Sequence, residues 1–86
     1  QPDHLRARYN LGNALVRSGQ LDEAIVHYRQ VVRQQPDHAY AYNNLGALFE
    51  LRNRRQEAIE CYRRALVIDP GLKQARQNLI RLEQSH

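Results

Sequence analysis

Gln1-Pro2-Asp3-His4 returns letter for letter as Gln35-Pro36-Asp37-His38, and this echo decides the fold. The three prolines, Pro2, Pro36 and Pro70, stand 34 residues apart each time. The same shift brings Ala7 onto Ala41, Asn10 onto Asn44, and Leu11-Gly12 onto Leu45-Gly46. It also brings Glu23-Ala24-Ile25 onto Glu57-Ala58-Ile59 and Tyr28-Arg29 onto Tyr62-Arg63. A third copy opens in register with Ala75, Asn78 and Leu79 and then stops. A fixed period of this length marks a stack of supersecondary units, each too small to bury its own apolar face.

Within a unit the apolar spacing is helical. Ala7, Leu11, Ala14 and Leu15 fall at three- and four-residue steps over Leu5 to Arg17. Ser18-Gly19-Gln20 breaks the run, and Gly19 suits the left-handed residue that ends a helix. Asn53 holds that place in the second unit, and asparagine is the usual substitute. A second helix is predicted from Leu21 to about Gln34, with Asp22 and Glu23 in its first turn, where the dipole favours acids. Pro36 stops it, and Asp37 is placed to cap the next helix.

Helix, short turn, helix and proline-marked turn in 34 residues resembles the tetratricopeptide repeat (TPR), with its W-x2-L-G-x2-Y…A-x3-F…P pattern. The second unit carries Tyr42, Leu45, Gly46, Phe49, Ala58, Tyr62, Ala65 and Pro70 at the marked positions. The first carries Arg8, Leu11, Gly12, Leu15, Ala24, Tyr28, Val31 and Pro36, departing at the opening aromatic and the second small residue. The resemblance implies an all-α fold of antiparallel hairpins, five helices stacked as a short right-handed solenoid. Gly12 is expected to face Ala24, and Gly46 to face Ala58. Tyr28 and Tyr62 are expected to fill the space between hairpins.

The boundaries read 1–4 as the tail of a preceding repeat, 5–38 and 39–72 as two units, and 73–86 as a capping helix. In the third copy Ile80 replaces the small glycine, and Arg76 and Glu83 place polar groups where a next unit would dock. That is how repeat arrays end. At the start, Ala7, Leu11 and Ala14 have nothing upstream to pack on. We therefore expect this stretch to be a piece of a longer protein with an earlier repeat, and the open face to be able to dimerise.

Composition narrows the function classes. Eighty-six residues allow one small domain. No apolar run approaches the ~20 residues of a membrane span, so membrane insertion is not expected. The single Cys61 cannot form an internal disulfide and is compatible with a reducing cytoplasm. No catalytic constellation, metal-ligand spacing or cofactor loop is present, since Gly12, Gly19, Gly46 and Gly71 are isolated structural glycines. His27 and Cys61 are equivalent positions on second helices, but two ligands do not make a metal site. Enzymatic activity and cofactors are not expected. The net charge of +4 rests on twelve arginines and one lysine. Arg54-Arg55 and Arg63-Arg64 raise nucleic acid as a partner, yet no base-reading code recurs from unit to unit. Pairing with Glu57 and Glu60 is the simpler reading of those clusters.

In the TPR family the first helix of each hairpin lines a concave groove. The resemblance places Arg6, Tyr9, Asn10, Asn13 and Arg17 there, then Tyr40, Asn43, Asn44 and Ala47, then Gln74, Gln77, Asn78 and Arg81. Asn10, Asn44 and Asn78 hold one position in three successive helices. An asparagine there can simply bond a neighbour within the stack. Three in one register, in a residue mediocre for helix interiors, point to a ligand. An amide offers one donor and one acceptor face, as an extended peptide backbone requires. First helices ~10 Å apart would meet every third residue of such a peptide. The arrangement resembles the asparagine ladder in the TPR superhelix of O-linked N-acetylglucosamine transferase.

Neutral hydrogen bonds net only ~0.5–1.5 kcal/mol each, so Tyr9 and Tyr40 as anchors and Arg6, Arg17 and Arg81 as cations must contribute. The expected partner is an extended protein segment, acidic or carboxylate-bearing. The carboxylate clamp for chaperone tails fits poorly. Asn13 and Asn44 match it, but Tyr9, Gln74 and Asn78 stand where its basic residues belong. The alternative is a structural, self-assembling segment of a larger TPR protein.

Overall fold

The computed structural model describes residues 2–84; Gln1 of the expected N-terminal tail and the last two residues of 73–86 lie outside the described residues. Five helices follow one another among these residues: α1 (Pro2–Arg17), α2 (Leu21–Gln34), α3 (Ala39–Leu51), α4 (Arg55–Ile68) and α5 (Lys73–Gln84). Each packs on its neighbours in the chain, so the layers build up in sequence order as an all-α solenoid. No cross-chain topology is needed. This is the quasi-one-dimensional logic of repeat proteins.

The turn inside each hairpin is the same object built twice. Gly19 has φ +81° and Asn53 has φ +60°. Gly19 N–H bonds to Val16 O at 3.0 Å and Gln20 N–H to Leu15 O at 2.8 Å. Asn53 N–H bonds to Glu50 O at 3.0 Å and Arg54 N–H to Phe49 O at 2.8 Å. These two bonds, spanning five and three residues, use up the last carbonyls of the helix and reverse the chain.

Three expectations need correction. Helix α1 begins at Pro2, so the first described residues are helical; a proline is tolerated at the first helical position, where its missing N–H would have no partner anyway. His38, and not Asp37, caps α3: its Nδ1 accepts from Ala41 N–H at 3.1 Å. Gly12 and Gly46 face the tyrosines of their own hairpins. A Cβ built on Gly12 would lie 2.7 Å from Tyr28 Cε1, and one on Gly46 2.6 Å from Tyr62 Cε1. The small residue makes room for a ring lying inside the hairpin, between its two helices.

Those rings are the largest fully buried side chains, and the core grows around them. Ala24, Ile25, Ala58, Ile59 and Ala65 present the second helices to it, with Leu45, Leu48 and Phe49 from α3 and Ala75 and Leu82 from α5. Helix α3 is buried on both sides of the stack. Helix α1 is not: Leu11 is 45% exposed while its equivalent Leu45 is 2% exposed.

Candidate functional site

The first helices α1, α3 and α5 are held one to the next by side chains reaching across the gap. Asn44 Nδ2 donates to Tyr9 Oη at 3.0 Å and to Asn13 Oδ1 at 3.3 Å. Tyr28 Oη donates to the same Asn13 oxygen. Burial raises the Tyr28 hydroxyl above its ordinary value, and the bond from Asn44 offsets part of that. Tyr9 stacks against His38 with ring centroids 4.7 Å apart and against Tyr28 at 5.7 Å. Burial also lowers His38, so its ring favours the neutral form that the α3 cap needs.

One repeat further on, the chemistry changes. Asn78 Nδ2 reaches Asn43 Oδ1 at 3.4 Å, and Asn43 Nδ2 reaches Gln74 Oε1 at 3.2 Å. Arg81 forms a two-pronged contact with Glu50, at 2.6 and 2.9 Å, and Tyr62 Oη donates to Glu50 at 2.6 Å. The Arg81 hydrogen bond holds the Glu50 carboxyl below the usual glutamate range, against the opposing effect of burial. Sequence reasoning missed Glu50. Its partner lies 31 residues away and does not repeat, so no periodic signal marks it.

The expected groove residues therefore fall into groups. Tyr9, Asn13 and Asn44 form one network, and Asn43, Gln74 and Asn78 form a second. Asn10 makes no side-chain hydrogen bond among the described residues. Tyr40 is exposed and borders a cleft of the inter-repeat turns with Gln35, Asp37, His38, Ile68 and Asp69. Gln77 and Arg81 share a shallow cleft with Ile80 and Gln84 at the α5 end. Arg81 is paired, whereas Arg6 and Arg17 have no carboxylate partner among the described residues.

Two clefts flank the Tyr9–Asn44 bridge. One, of about 290 Å³, lies toward the C-terminal ends of α1 and α3 and is lined by Asn13, Val16, Arg17, Ala47, Leu48 and Leu51. The other, of about 460 Å³, is lined by Leu5, Arg6, Tyr9, Asn10, Gln35 and His38.

The family model of the tetratricopeptide repeat matches residues 1–31 and 9–73. The chain belongs to the TPR family. It is similar to the crystal structure of YrrB, described as a TPR protein with an unusual peptide-binding site. That likeness covers 91% of this chain at 31% identity and a TM-score of 0.85. The MamA crystal structure is similar over 93% of the chain at 26% identity and a TM-score of 0.90. The chain spans 40% of the YrrB chain and 47% of the MamA chain. A tetratricopeptide repeat domain protein from Salinibacter ruber has a TM-score of 0.88 at 20% identity, covering 95% of this chain and 98% of its own, a likeness of fold alone. No curated protein matches the chain in sequence. TPR arrays commonly act as protein–protein interaction modules, and the family is generally non-catalytic.

The convex side of this TPR array carries ordinary surface chemistry. Arg54 bridges Glu57 at 2.6 Å, and Arg29 reaches the same carboxylate at 3.6 Å. Both guanidiniums lie over the Phe49 ring. Arg8 meets His27 Nδ1 at 3.2 Å. The Cys61 thiol is pushed up to about 12, chiefly by burial, which leaves it a poor nucleophile at neutral pH. Among the described residues no group of three or more His, Cys, Asp or Glu side chains could hold a metal, and no helix is long and apolar enough to cross a membrane.

Proposed function

We propose that this TPR array is a non-catalytic interaction module that holds an extended segment of another protein, acidic or carboxylate-bearing, on its concave face. The observation that carries the reading is the cleft between α1 and α3. Its floor is apolar, with Val16, Ala47, Leu48 and Leu51, and Arg17 stands at its edge without a carboxylate partner among the described residues. An apolar cavity with a few convergent polar groups is the ordinary form of a binding site. The described peptide-binding site of YrrB supports the class of ligand. The units 5–38 and 39–72 supply the two walls of the cleft, and α5 packs against α4 beyond them.

The asparagine register takes a different part from a free ladder. Asn44 and Asn78 are engaged across the stack, so they set the spacing of the walls, while Asn10 is open to a ligand. The test is an array of peptides probed with the parent chain, with Ala47→Trp and with Asn10→Ala. Equal helicity and melting are checked first. Peptides captured by the parent and lost on filling the cleft with Trp support the groove. The same peptides held equally by Ala47→Trp would sink it.

Self-assembly is favoured by a separate observation. Ala7, Leu11 and Ala14 lie exposed along one side of α1, and their equivalents Ala41, Leu45 and Leu48 are buried. Light scattering over a wide concentration range measures this directly. A mass that rises with concentration and returns to monomer in Leu11→Lys supports it; a constant monomer mass removes it.

A further inference from the structure

The two clefts of the α1–α3 seam differ in chemistry, and that difference gives the bound segment a direction and a register. The cleft near Val16 and Leu51 is lined by four aliphatic side chains, Val16, Ala47, Leu48 and Leu51, together with Asn13, Arg17, Tyr28 and Asn44. The cleft near Arg6 is lined by Leu5, Arg6, Tyr9, Asn10, Gln35 and His38, with no carboxylate in its lining among the described residues. His38 uses Nδ1 as an acceptor for Ala41 N–H, so in the neutral ring the proton sits on Nε2, which is then a donor. Arg6, Asn10, Gln35 and His38 thus offer four donor groups around one space, and Arg6 brings a charge that no carboxylate neutralises among the described residues. Further along the stack the charge is balanced, because Glu50 already occupies Arg81. Uncompensated positive charge on the concave side is therefore concentrated on α1.

We infer that the α1–α3 seam reads two side chains of its peptide: a carboxylate held at Arg6, Asn10 and His38, and an aliphatic group seated against Val16, Ala47 and Leu51. The inference rests on the groove reading above and adds a ruler to it. The midpoints of the two clefts are about eight residues apart along α1, or ~12 Å at the helical rise of ~1.5 Å per residue. An extended peptide rises ~3.3 Å per residue and alternates its side chains between two faces, so two side chains that enter the same seam at this distance are about four residues apart. The segment lies along the seam, roughly parallel to the helices, and passes over the Tyr9–Asn44 bridge between the clefts. A peptide crossing the stack from α1 to α5 would instead meet the neutral Glu50–Arg81 pair.

Labelled Gly/Ser peptides carrying one Leu and one Glu at separations of about two, four and eight residues test the ruler by fluorescence anisotropy. The spacing of about four is expected to bind about tenfold tighter than the others, the factor one charge-assisted hydrogen bond supplies. Arg6→Glu is exposed and is expected to fold normally, to lose that preference, and to regain it for peptides with Lys in place of Glu. Equal affinity at every separation, or an unchanged preference in Arg6→Glu, overturns the ruler. If Ala47→Trp still abolishes binding in that case, the groove reading survives alone. Failure of all peptides to bind the parent, or binding indifferent to both variants, overturns the two together.

Discussion

Helices α1 and α3 carry nearly the same apolar pattern and live in different surroundings. Ala41, Leu45 and Leu48 of α3 are buried between α2 and α4, whereas Ala7, Leu11 and Ala14 of α1 look outward. One sequence pattern thus builds a core in one unit and an open face in the other. The lesson is that a repeat specifies a shape to be completed by its neighbour, and its stability belongs to interfaces as much as to units.

The sharpest way to break the comparison is a matched pair of truncations. Leu45→Ala is expected to cost ~2–5 kcal/mol, as buried leucines do when the site cannot collapse. For a domain whose total stability is ~5–15 kcal/mol, that is a large fraction. Leu11→Ala is expected to cost under ~1 kcal/mol, because about half of that side chain is already in water. Urea titrations followed by circular dichroism measure both. Equal losses would mean that the α1 face is covered in solution, which is the self-assembly reading.

The glycines sharpen the same contrast. A Cβ on Gly46 meets a fully buried ring, with α3 hemmed in on both sides, so Gly46→Ala is expected to destabilise by ~1–3 kcal/mol. Gly12→Ala meets Tyr28 just as closely, but α1 has an open side and can shift outward. Its cost is expected to be smaller, partly offset by the better helix propensity of alanine, ~1 kcal/mol. Equal melting temperatures for the two variants would show that α1 is held as rigidly as α3.

The two cross-stack networks differ in the same instructive way. Tyr28 is received by an amide, Asn13, and its equivalent Tyr62 by a carboxylate, Glu50. The second network alone includes an acid. Because Glu50 titrates lower in the fold than in the unfolded chain, its contribution is complete above the ordinary value of 4.5 and is lost as pH falls through the folded value. Glu50→Gln is expected to flatten that acid limb while leaving stability at neutral pH lower by under ~1 kcal/mol, since Arg81 is largely exposed. Denaturation midpoints measured across the acid range check it. An unchanged acid limb would place the titrating group elsewhere.

The period, the five helices and the left-handed residues at Gly19 and Asn53 were legible because each repeats with its chemistry intact. What was hidden depends on contacts that do not repeat. Position 9 is Tyr and its equivalent position 43 is Asn, so Asn44 and Asn78 meet different partners although their own register is the same. Glu50 and Arg81 find each other only once. Gly12 and Ala24 are both small, and the pattern alone does not tell which of them a tyrosine leans on. The ends of helices were blurred for a local reason: Asp37 and His38 are adjacent polar residues, and helix boundaries shift by ~1–2 residues with the cap geometry.

The inter-repeat turns offer the smallest and most local test. Gln35 N–H to Val31 O and His38 N–H to Gln35 O recur as Asp69 N–H to Ala65 O and Leu72 N–H to Asp69 O. The backbone is alike, yet His38 caps α3 with its own ring, while the second turn is tied by Asp69 accepting from Gly71 N–H at 3.1 Å. Burial lowers His38, so the neutral ring is the native form. Its contribution is complete above the ordinary value of 6.5 and is lost as pH falls through the lower folded value. His38→Asn keeps a good cap without the titration, since asparagine ranks among the best N-cap residues. It is expected to match the parent within ~0.5 kcal/mol in mildly alkaline buffer and to lose less than the parent as pH falls below 6.5. Parallel thermal melts across that range read the difference. Identical pH profiles would mean that protonated His38 keeps its place against Tyr9, and that Ala41 N–H finds another acceptor when the ring charges.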